Sequence, residues 1–313
     1  MDAAAELIAD RGVAASSDDL FRSPPFLEAE GVTHTLKVDS RERSALVPVI
    51  VRELAGTQRL DAVSPYGYPG GLVSGSGRAP AAAALDWSAT GLVSIFGRER
   101  LAGSPWLAGA KQRSHVCVYD PAAPREVRAR LAEQIRANRR AGWSVEVRAG
   151  PESSAADRDA FALAYEQTMH GVGAAPRYFF GRDYLDAVLS FGASWLLVAR
   201  RGAEPGAAAI AGRSDGLLHY FLGGTVDSAR DASPFKNVVA AMLDLADQLS
   251  LPLNLGGGIE PGDGLERFKR GFANDRLAFA TQEVVCDPAE YERLSAGRTS
   301  DGFFPAYRAP TSG

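Results

Sequence analysis

The residues of this chain that are best placed to do chemistry lie in one stretch near its C-terminal end. A short apolar strand, Pro252–Leu255, runs into three glycines, which tolerate positive φ and close approach of a ligand to the backbone. In the short helix predicted after this loop, Leu265, Phe268 and Phe272 share an apolar face. That spacing turns Lys269 away from the face. We therefore expect an exposed lysine beside open backbone at the end of a strand.

Other motifs in the chain match known catalytic patterns only by coincidence. Gly212–Gly216 reads Gly-x-Ser-x-Gly, but a nucleophile elbow joins a strand to a helix, whereas this segment joins two predicted strands as a hairpin turn. The glycines at 256–258 do not open a dinucleotide fingerprint, because no βαβ unit begins there. The four histidines show no metal-ligand spacing, so we expect no metal site.

The composition predicts two domains without a targeting segment. With 313 residues, 46% of them hydrophobic, the chain can bury two cores. Its N-terminal residues lack the basic start and apolar run of a signal peptide, and no stretch approaches the roughly 20 apolar residues of a membrane span. We expect a cytoplasmic protein. Cys117 and Cys286 lie far apart in apolar runs and are expected to be reduced core thiols.

The charge distribution is uneven. The net charge of -4 argues against general nucleic-acid binding, yet residues 98–148 hold eleven Lys/Arg and five Asp/Glu. Arg125–Arg140 is predicted to be an amphipathic helix, because Val127, Leu131 and Ile135 recur at a spacing of four. Its outer face is rich in arginine. That face is either a binding surface for nucleic acid or an ordinary solvated helix.

Hydrophobic periodicity and turn residues define the remaining elements. Residues 36–54 predict two strands joined by a turn, and the alanine-rich segment from residue 79 is expected to begin a helix that runs toward residue 96. Further helices are expected at 154–169, 184–191, 234–249 and 264–271, and further strands at 116–119, 143–147, 195–200, 207–213, 217–222 and 252–255.

An aromatic loop in the first half is a candidate binding wall. Ser64–Leu72 crowds prolines and glycines around Tyr66 and Tyr68. A tyrosine on a rigid scaffold offers an apolar face and a hydroxyl at little entropic cost. The alternative is that both tyrosines simply pack a long turn.

Several motifs, taken in order, resemble those of the Fem-type peptidyltransferases, which join an amino acid from aminoacyl-tRNA to an amine. Phe268–Phe272 fits the family's Phe-Lys-x-Gly-Phe pattern after a strand and a glycine pair. Gly223–Thr225 and Ser233–Pro234 resemble the family's Gly-Gly-Thr/Ser strand end and the Ser-Pro pair that opens its long helix. Tyr165–Met169 and Tyr178–Phe179 resemble the first helix and the aromatic pair that follows it.

The resemblance implies a fold and a domain division. Fem-type enzymes look like two fused domains of the acetyltransferase (GNAT) type, so we expect a mixed α/β (α+β) protein with two tandem GNAT-like domains, whose mixed sheets are flanked by helices. The first domain is expected at residues 1–150 and is completed by residues 280–313, which return to it. The second, catalytic domain is expected at residues 151–279.

The resemblance also implies a reaction and its residues. An acceptor amine attacks the ester carbonyl of aminoacyl-tRNA, and a fixed cation stabilises the oxyanion that develops. Lys269 is the candidate for that cation, and the carbonyl of Phe268 is expected to orient the amine. The residues assigned to substrate binding are Tyr66, Tyr68, Tyr178, Tyr220, Asp227, Gly257 and Gly258, and those assigned to tRNA are Arg128, Arg136, Arg139 and Arg140. The expected partners are aminoacyl-tRNA and an amine of a small molecule, such as a natural-product intermediate, or of a muropeptide precursor; no cofactor is expected.

Two other functions stay open on the sequence. Acetyl-CoA is the alternative donor, because CoA-dependent N-acyltransferases share this fold. They bind pyrophosphate on a glycine-containing loop at the start of the long helix. At the corresponding place, Ala229–Lys236 lacks glycine, and Pro234 removes an amide donor. A degenerate double domain acting as a non-catalytic scaffold is the third possibility, and retention of Phe268 and Lys269 argues against it.

Overall fold

The structure is a computed structural model that describes residues 3–260 and 262–310. The chain divides into two compact units. The first unit comprises Met1–Ser17, Phe21–Arg113 and Phe279–Gly313, and the second comprises Asp18–Leu20 and Ser114–Ala278.

The described residues form both strands and helices. The strands are β1 (Ala4–Ile8), β2 (His34–Ser40), β3 (Arg43–Glu53), β4 (Leu60–Val63), β5 (Leu72–Gly75), β6 (Leu92–Arg98), β7 (Lys111–Tyr119), β8 (Trp143–Ala149), β9 (Ser194–Arg201), β10 (Glu204–Ser214), β11 (Leu217–Thr225), β12 (Leu253–Gly256) and β13 (Asp275–Val285). The helices are α1 (Pro24–Ala29), α2 (Ala129–Arg140), α3 (Ala155–Gly171), α4 (Arg182–Ser190), α5 (Phe235–Leu249), α6 (Gly264–Lys269) and α7 (Pro288–Ser295).

The first unit is built on a mixed sheet. Strands β1 to β4 form an antiparallel meander, β6 adds to β4 in parallel, and β13 pairs with β6 in antiparallel fashion. Alternate residues of β2 and β3, among them Leu36, Val38, Val47 and Val49, are fully buried in one core with Trp106. Period-two burial of this kind is what the alternating apolar pattern of a half-buried strand dictates.

The second unit repeats the same strand pattern. Strands β8 to β11 form an antiparallel meander, β12 lies parallel to β11 after the crossover helix α5, and β7 pairs with β12 in antiparallel fashion. Each unit thus has a four-stranded meander, a parallel fifth strand and an antiparallel sixth. The expected fold class, mixed α/β with two GNAT-like domains whose mixed sheets are flanked by helices, is confirmed.

Helices α3 and α5 lie on opposite faces of the second sheet, and two adjacent glycines of β11 allow both to approach closely. A Cβ on Gly223 would lie 2.9 Å from the ring of Phe235 in α5, and one on Gly224 would lie 2.2 Å from the carbonyl oxygen of Ala164 in α3. Successive strand residues point to opposite faces. The Gly-Gly pair is therefore required by packing on both sides of the sheet.

Three sequence-based expectations differ from the structure. The predicted helix from residue 79 toward residue 96 was wrong, because residue 86 exchanges backbone hydrogen bonds with Ala3 and Ala5 beside β1, and only short 3-10 turns interrupt the extended chain. This pairing overrides the helix propensity of alanine. Helix α2 begins at Ala129 instead of residue 125. The expected domain boundary between residues 150 and 151 falls inside the second unit, whereas residues 279–313 belong to the first.

The close packing at Gly224 gives a stability prediction. Gly224→Ala should lower the free energy of unfolding by about 1–3 kcal/mol, because the new methyl group meets backbone that cannot move away. Denaturant unfolding of the purified variant measures the change. Gly192→Ala is the matched control, since a Cβ there meets nothing within 4 Å. Equal stability of the two variants would contradict this packing argument.

Candidate functional site

Lys269 lies at the end of α6, and its ammonium group is held in place. Nζ donates a hydrogen bond to the carbonyl oxygen of Gly257 at 2.8 Å and lies 5.6 Å from the ring centroid of Tyr220. The side chain is half-buried. The expectation of an exposed lysine was therefore wrong: the helix spacing turns Lys269 off the apolar face of α6 but toward the glycine turn and the ring of Tyr220.

The turn after β12 depends on its glycines. Gly256 adopts a φ of 79°, which a residue with a side chain rarely tolerates. A Cβ on Gly256 would lie 3.0 Å from Nζ of Lys269, and one on Gly258 would lie 2.5 Å from the carboxylate of Asp263. Gly257, between them, supplies the carbonyl that accepts from Lys269. These glycines let the backbone run directly beside the lysine.

Asp263 organises the loop between this turn and α6. One carboxylate oxygen accepts from the amide of Glu266 at 2.7 Å and caps the helix, and the other accepts from the amides of Ile259 and Glu260 at 2.7 and 3.2 Å. An acidic cap also suits the positive end of a helix dipole. The loop is thus held by the carboxylate of Asp263 and by its connection to β12. On this loop the side chain of Ile259 is 87% exposed.

An aromatic cluster borders the lysine. The ring of Tyr220 on β11 lies 5.7 Å from that of Phe235, which lies 6.4 Å from the ring of Phe268. Phe268 in turn meets Phe272 edge to face at 5.3 Å. Phe268 and Phe272, on either side of Lys269 in the sequence, therefore anchor α6.

Burial changes the protonation of Lys269. Removal of the ammonium group from water lowers its pKa from the usual 10.5 to about 8, while the negative charge of Asp263 acts in the opposite direction. Lys269 is therefore a cation at neutral pH that loses its proton at moderately alkaline pH. Such a group can stabilise negative charge at pH 7. Its loss of a proton at higher pH can be measured.

The carbonyl of Phe268 already serves the end of α6. It accepts from the amide of Gly271 at 3.0 Å. A carbonyl oxygen has a second lone pair, so the expected role of Phe268 in orienting an amine would have to use that one.

The structure brings Lys269, Phe268, Tyr220 and Gly257 together, but it ties Tyr178 and Asp227 to other groups. The carbonyl of Tyr178 accepts from the hydroxyl of Tyr165 on α3 at 2.7 Å. Asp227 pairs with Arg230 at 2.7 Å, and its amide donates to the side chain of Gln167, also on α3. These bonds connect both residues to α3 instead of the glycine turn.

Tyr66 and Tyr68 belong to the first unit and are half-buried. The amide of Tyr66 donates to the carboxylate of Glu30 at 2.7 Å. The ring of Tyr68 lies edge to face between Phe21 and Phe279, with centroids 5.7 and 5.4 Å away. The loop is therefore anchored by polar and aromatic contacts, as its composition predicts.

The four arginines assigned to tRNA are exposed on or beside α2. The amide of Arg128 donates to the carbonyl of Gly271 at 2.8 Å, and α2 begins at the next residue. Within residues 3–260 and 262–310, no carboxylate pairs with Arg136, Arg139 or Arg140. Their charges are available to solvent or to an anion.

Sequence reasoning missed three polar residues of this site. Asp263 could have been found, because an acidic residue three positions before Glu266 is a helix-start signal. His219 and Asn254 are buried and hydrogen-bonded to each other at 3.1 Å. No local pattern pointed to them, since they lie 35 positions apart on different strands.

The lowered pKa of Lys269 can be tested by chemical labelling. The rate of reductive methylation of Lys269, followed by mass spectrometry against pH, should be half-maximal at about pH 8, because only the neutral amine reacts. Lys37 is an internal control: its ion pairs with Asp39 and Glu6 raise its pKa above 10.5. A midpoint for Lys269 near that of Lys37 would contradict the burial described here.

Part of the second unit is similar to a recognised domain family. Residues 125–270 match the model of the acetyltransferase (GNAT) domain. A comparison with curated proteins gives no match. The described part of the chain contains no helix long and apolar enough to cross a membrane, and no group of three or more potential metal ligands among its His, Cys, Asp and Glu residues.

Solved structures share the fold across most of the chain. FemX matches with a TM-score of 0.61 at 11% identity, covering 90% of this chain and 96% of its own. The C-terminal domain of a putative lysylphosphatidylglycerol synthetase from Agrobacterium fabrum matches with a TM-score of 0.55 at 15% identity, covering 90% and 91%. A conserved protein of unknown function from Bacteroides thetaiotaomicron matches with a TM-score of 0.54 at 9% identity, covering 87% and 92%. The predicted resemblance to Fem-type proteins is confirmed at the level of the fold, and the chain carries an acyltransferase domain of the GNAT type within a FemX-like fold.

Proposed function

We propose that this protein is an aminoacyltransferase that moves an aminoacyl group from aminoacyl-tRNA to an amine of a small molecule or a muropeptide precursor. The observation that carries the proposal is the placement of Lys269: a half-buried ammonium group held beside a glycine turn at the end of β12. This is where the Fem-type motif puts its lysine. The FemX-like fold supports the same reading.

The reaction is aminolysis of an ester. The nitrogen of the acceptor attacks the aminoacyl carbonyl carbon, and a tetrahedral intermediate forms with negative charge on the carbonyl oxygen. The bond to the ribose oxygen then breaks, the nitrogen loses a proton, and the ribose hydroxyl gains one. The charge on the intermediate is the feature that a protein cation can stabilise selectively.

Lys269 has the donors that this step requires. An ammonium group carries three N–H bonds, and one of them is used by the carbonyl of Gly257. The remaining two can donate to the oxyanion, while the bond to Gly257 fixes the direction in which they point. The ring of Tyr220 adds a favourable cation–π contact that keeps the charge in place.

The arginine-rich face of α2 is the proposed contact for the tRNA backbone. Arg136, Arg139 and Arg140 are exposed and lack carboxylate partners within the described residues. Arg128 joins this face to the catalytic helix, since its guanidinium lies 3.4 Å from the carbonyl of Arg267 on α6. Unpaired arginines are the side chains that best recognise phosphate.

An acyl-CoA-dependent N-acyltransferase is the second candidate, because residues 125–270 match a GNAT acetyltransferase model. The turn before α5 argues against CoA. The amides of Ala229, Arg230 and Ser233 donate to carbonyls within the turn, as do those of Lys236 and Asn237. These five amides are committed to the protein backbone and are not free to bind a pyrophosphate.

The donor decides between the two candidates. Purified protein should bind charged total tRNA saturably, with an affinity that falls as salt rises, and should not bind acetyl-CoA in a calorimetric titration. Uncharged tRNA is the control for recognition of the aminoacyl end. Tight binding of acetyl-CoA without a response to tRNA would establish the second candidate.

Replacement of Lys269 tests its role in transfer. Lys269→Ala should lower kcat by about 10²- to 10³-fold, as expected for loss of one oxyanion donor. In the wild type, the rate should fall as pH rises through about 8, because Lys269 then loses its proton. Lys269→Arg, which stays charged, should lack that fall. Lys111→Ala, in the first unit, is the control, and an unchanged rate in Lys269→Ala would remove Lys269 from the mechanism.

The arginine face gives a separate prediction about salt. Simultaneous replacement of Arg136, Arg139 and Arg140 by alanine should weaken tRNA binding and reduce the slope of log K against log salt by about 2 to 3. A variant with three exposed arginines of the first unit replaced is the charge-matched control; these are Arg41, Arg59 and Arg293. Equal slopes for the two variants would place the tRNA contact elsewhere.

A further inference from the structure

A buried polar pair joins the two parallel strands of the second unit. Strands β11 and β12 pair at only two positions, Leu218 with Leu253 and His219 with Asn254. The side chains of His219 and Asn254 are 1% and 0% exposed. Burial of polar groups is unfavourable unless each is hydrogen-bonded. The groups that bond to His219 and Asn254 therefore indicate what the pair does in the structure.

The hydrogen bonds of the pair run in one direction. Nε2 of His219 lies 3.1 Å from the carbonyl oxygen of Ser214, which can only accept, so Nε2 carries the proton. Nδ1 is then an acceptor, and the amide of Asn254 donates to it at 3.1 Å. Burial lowers the pKa of His219 to about 4, although the hydrogen bond to Ser214 and the charge of Asp19 oppose the shift. The imidazole is therefore neutral at physiological pH, and this tautomer persists.

The same asparagine determines the turn that holds Lys269. Its side-chain oxygen faces away from His219 and accepts from the amide of Gly256 at 2.8 Å. That bond closes the end of β12 at Gly256, the residue that turns the chain with a φ of 79°. The next residue, Gly257, presents its carbonyl to Nζ of Lys269 at 2.8 Å. Four hydrogen bonds thus lead from the β10–β11 turn to the ammonium group.

We propose that His219 and Asn254 are positioning residues, which fix the glycine turn so that the Gly257 carbonyl directs the Lys269 ammonium group. The catalytic role of this arrangement rests on the proposed function. The arrangement itself does not depend on any substrate. An apolar pair would join the two strands without any desolvation cost. Unlike an apolar pair, the polar pair accepts a hydrogen bond from the amide of Gly256.

The test uses the state of Lys269 as its readout, which needs no substrate. Asn254→Leu keeps the branched shape of the side chain, at a larger volume that the control Asn138→Leu shares, and removes both hydrogen bonds. In this variant the turn should loosen and admit water to the ammonium group, so the labelling midpoint of Lys269 should rise from about 8 toward the usual 10.5.

A matched control separates positioning from general loss of packing. Asn138 on α2 is also buried and donates to Ala232 and Asn237 within the second unit. Asn138→Leu should lower stability without moving the midpoint of Lys269. His219→Phe removes the other half of the pair, and it decides the question if Asn254→Leu does not fold.

The outcomes for this inference and for the proposed function are distinguishable. A wild-type midpoint in Asn254→Leu or in His219→Phe would overturn the positioning role, whatever the activity of Lys269→Ala. A shifted midpoint supports it, and with an active donor the same variants should lose at least tenfold in kcat with the donor KM changed less than twofold. If Lys269→Ala keeps full activity, the proposed function fails while the geometric result stands.

Discussion

The hydrogen bond from Lys269 to the carbonyl of Gly257 is the interaction around which the second unit is arranged. A half-buried ammonium group is costly unless polar partners replace the water that it loses. The protein supplies the carbonyl of Gly257, the ring of Tyr220 and the nearby carboxylate of Asp263. These groups do not fully replace the lost water, and the pKa of Lys269 is therefore lowered to about 8. A lysine in this state is a cation at neutral pH, but it is weakly solvated and therefore available to a substrate.

The other requirements of the site follow from that bond. Gly256 must lack a side chain because a Cβ would meet the ammonium group. Asp263 must cap α6 because the short helix carries Lys269 and has little stability of its own. Phe268 and Phe272 pack the same helix against the core. Local backbone geometry, helix capping and side-chain packing therefore together determine the position of Nζ of Lys269.

Local signals in the sequence predicted much of the fold and part of the site. Period-four and period-two patterns located most helices and strands, and the order of short motifs led to Lys269, Phe268 and the glycine turn. The depth of Lys269 could not be predicted, since helix spacing reveals which side chains share a face but not what packs against the other side. His219 and Asn254 escaped for a similar reason: their pairing exists only once β11 and β12 lie side by side. The false helix after residue 79 arose because alanine propensity is weak against strand pairing.

The place of β13 in the chain has a consequence for synthesis. The first unit begins the chain, but its sixth strand is β13, which pairs with β6 through Thr281–Val285. During translation, the whole second unit emerges from the ribosome before this strand does. The unit that is started first is therefore completed last. More than 160 residues, which take about 8 to 30 seconds at ordinary elongation rates, are made before β13 is available to pair with β6. A strand edge that lacks its neighbour is prone to pair with other chains. That interval exposes the nascent chain to aggregation and to chaperones.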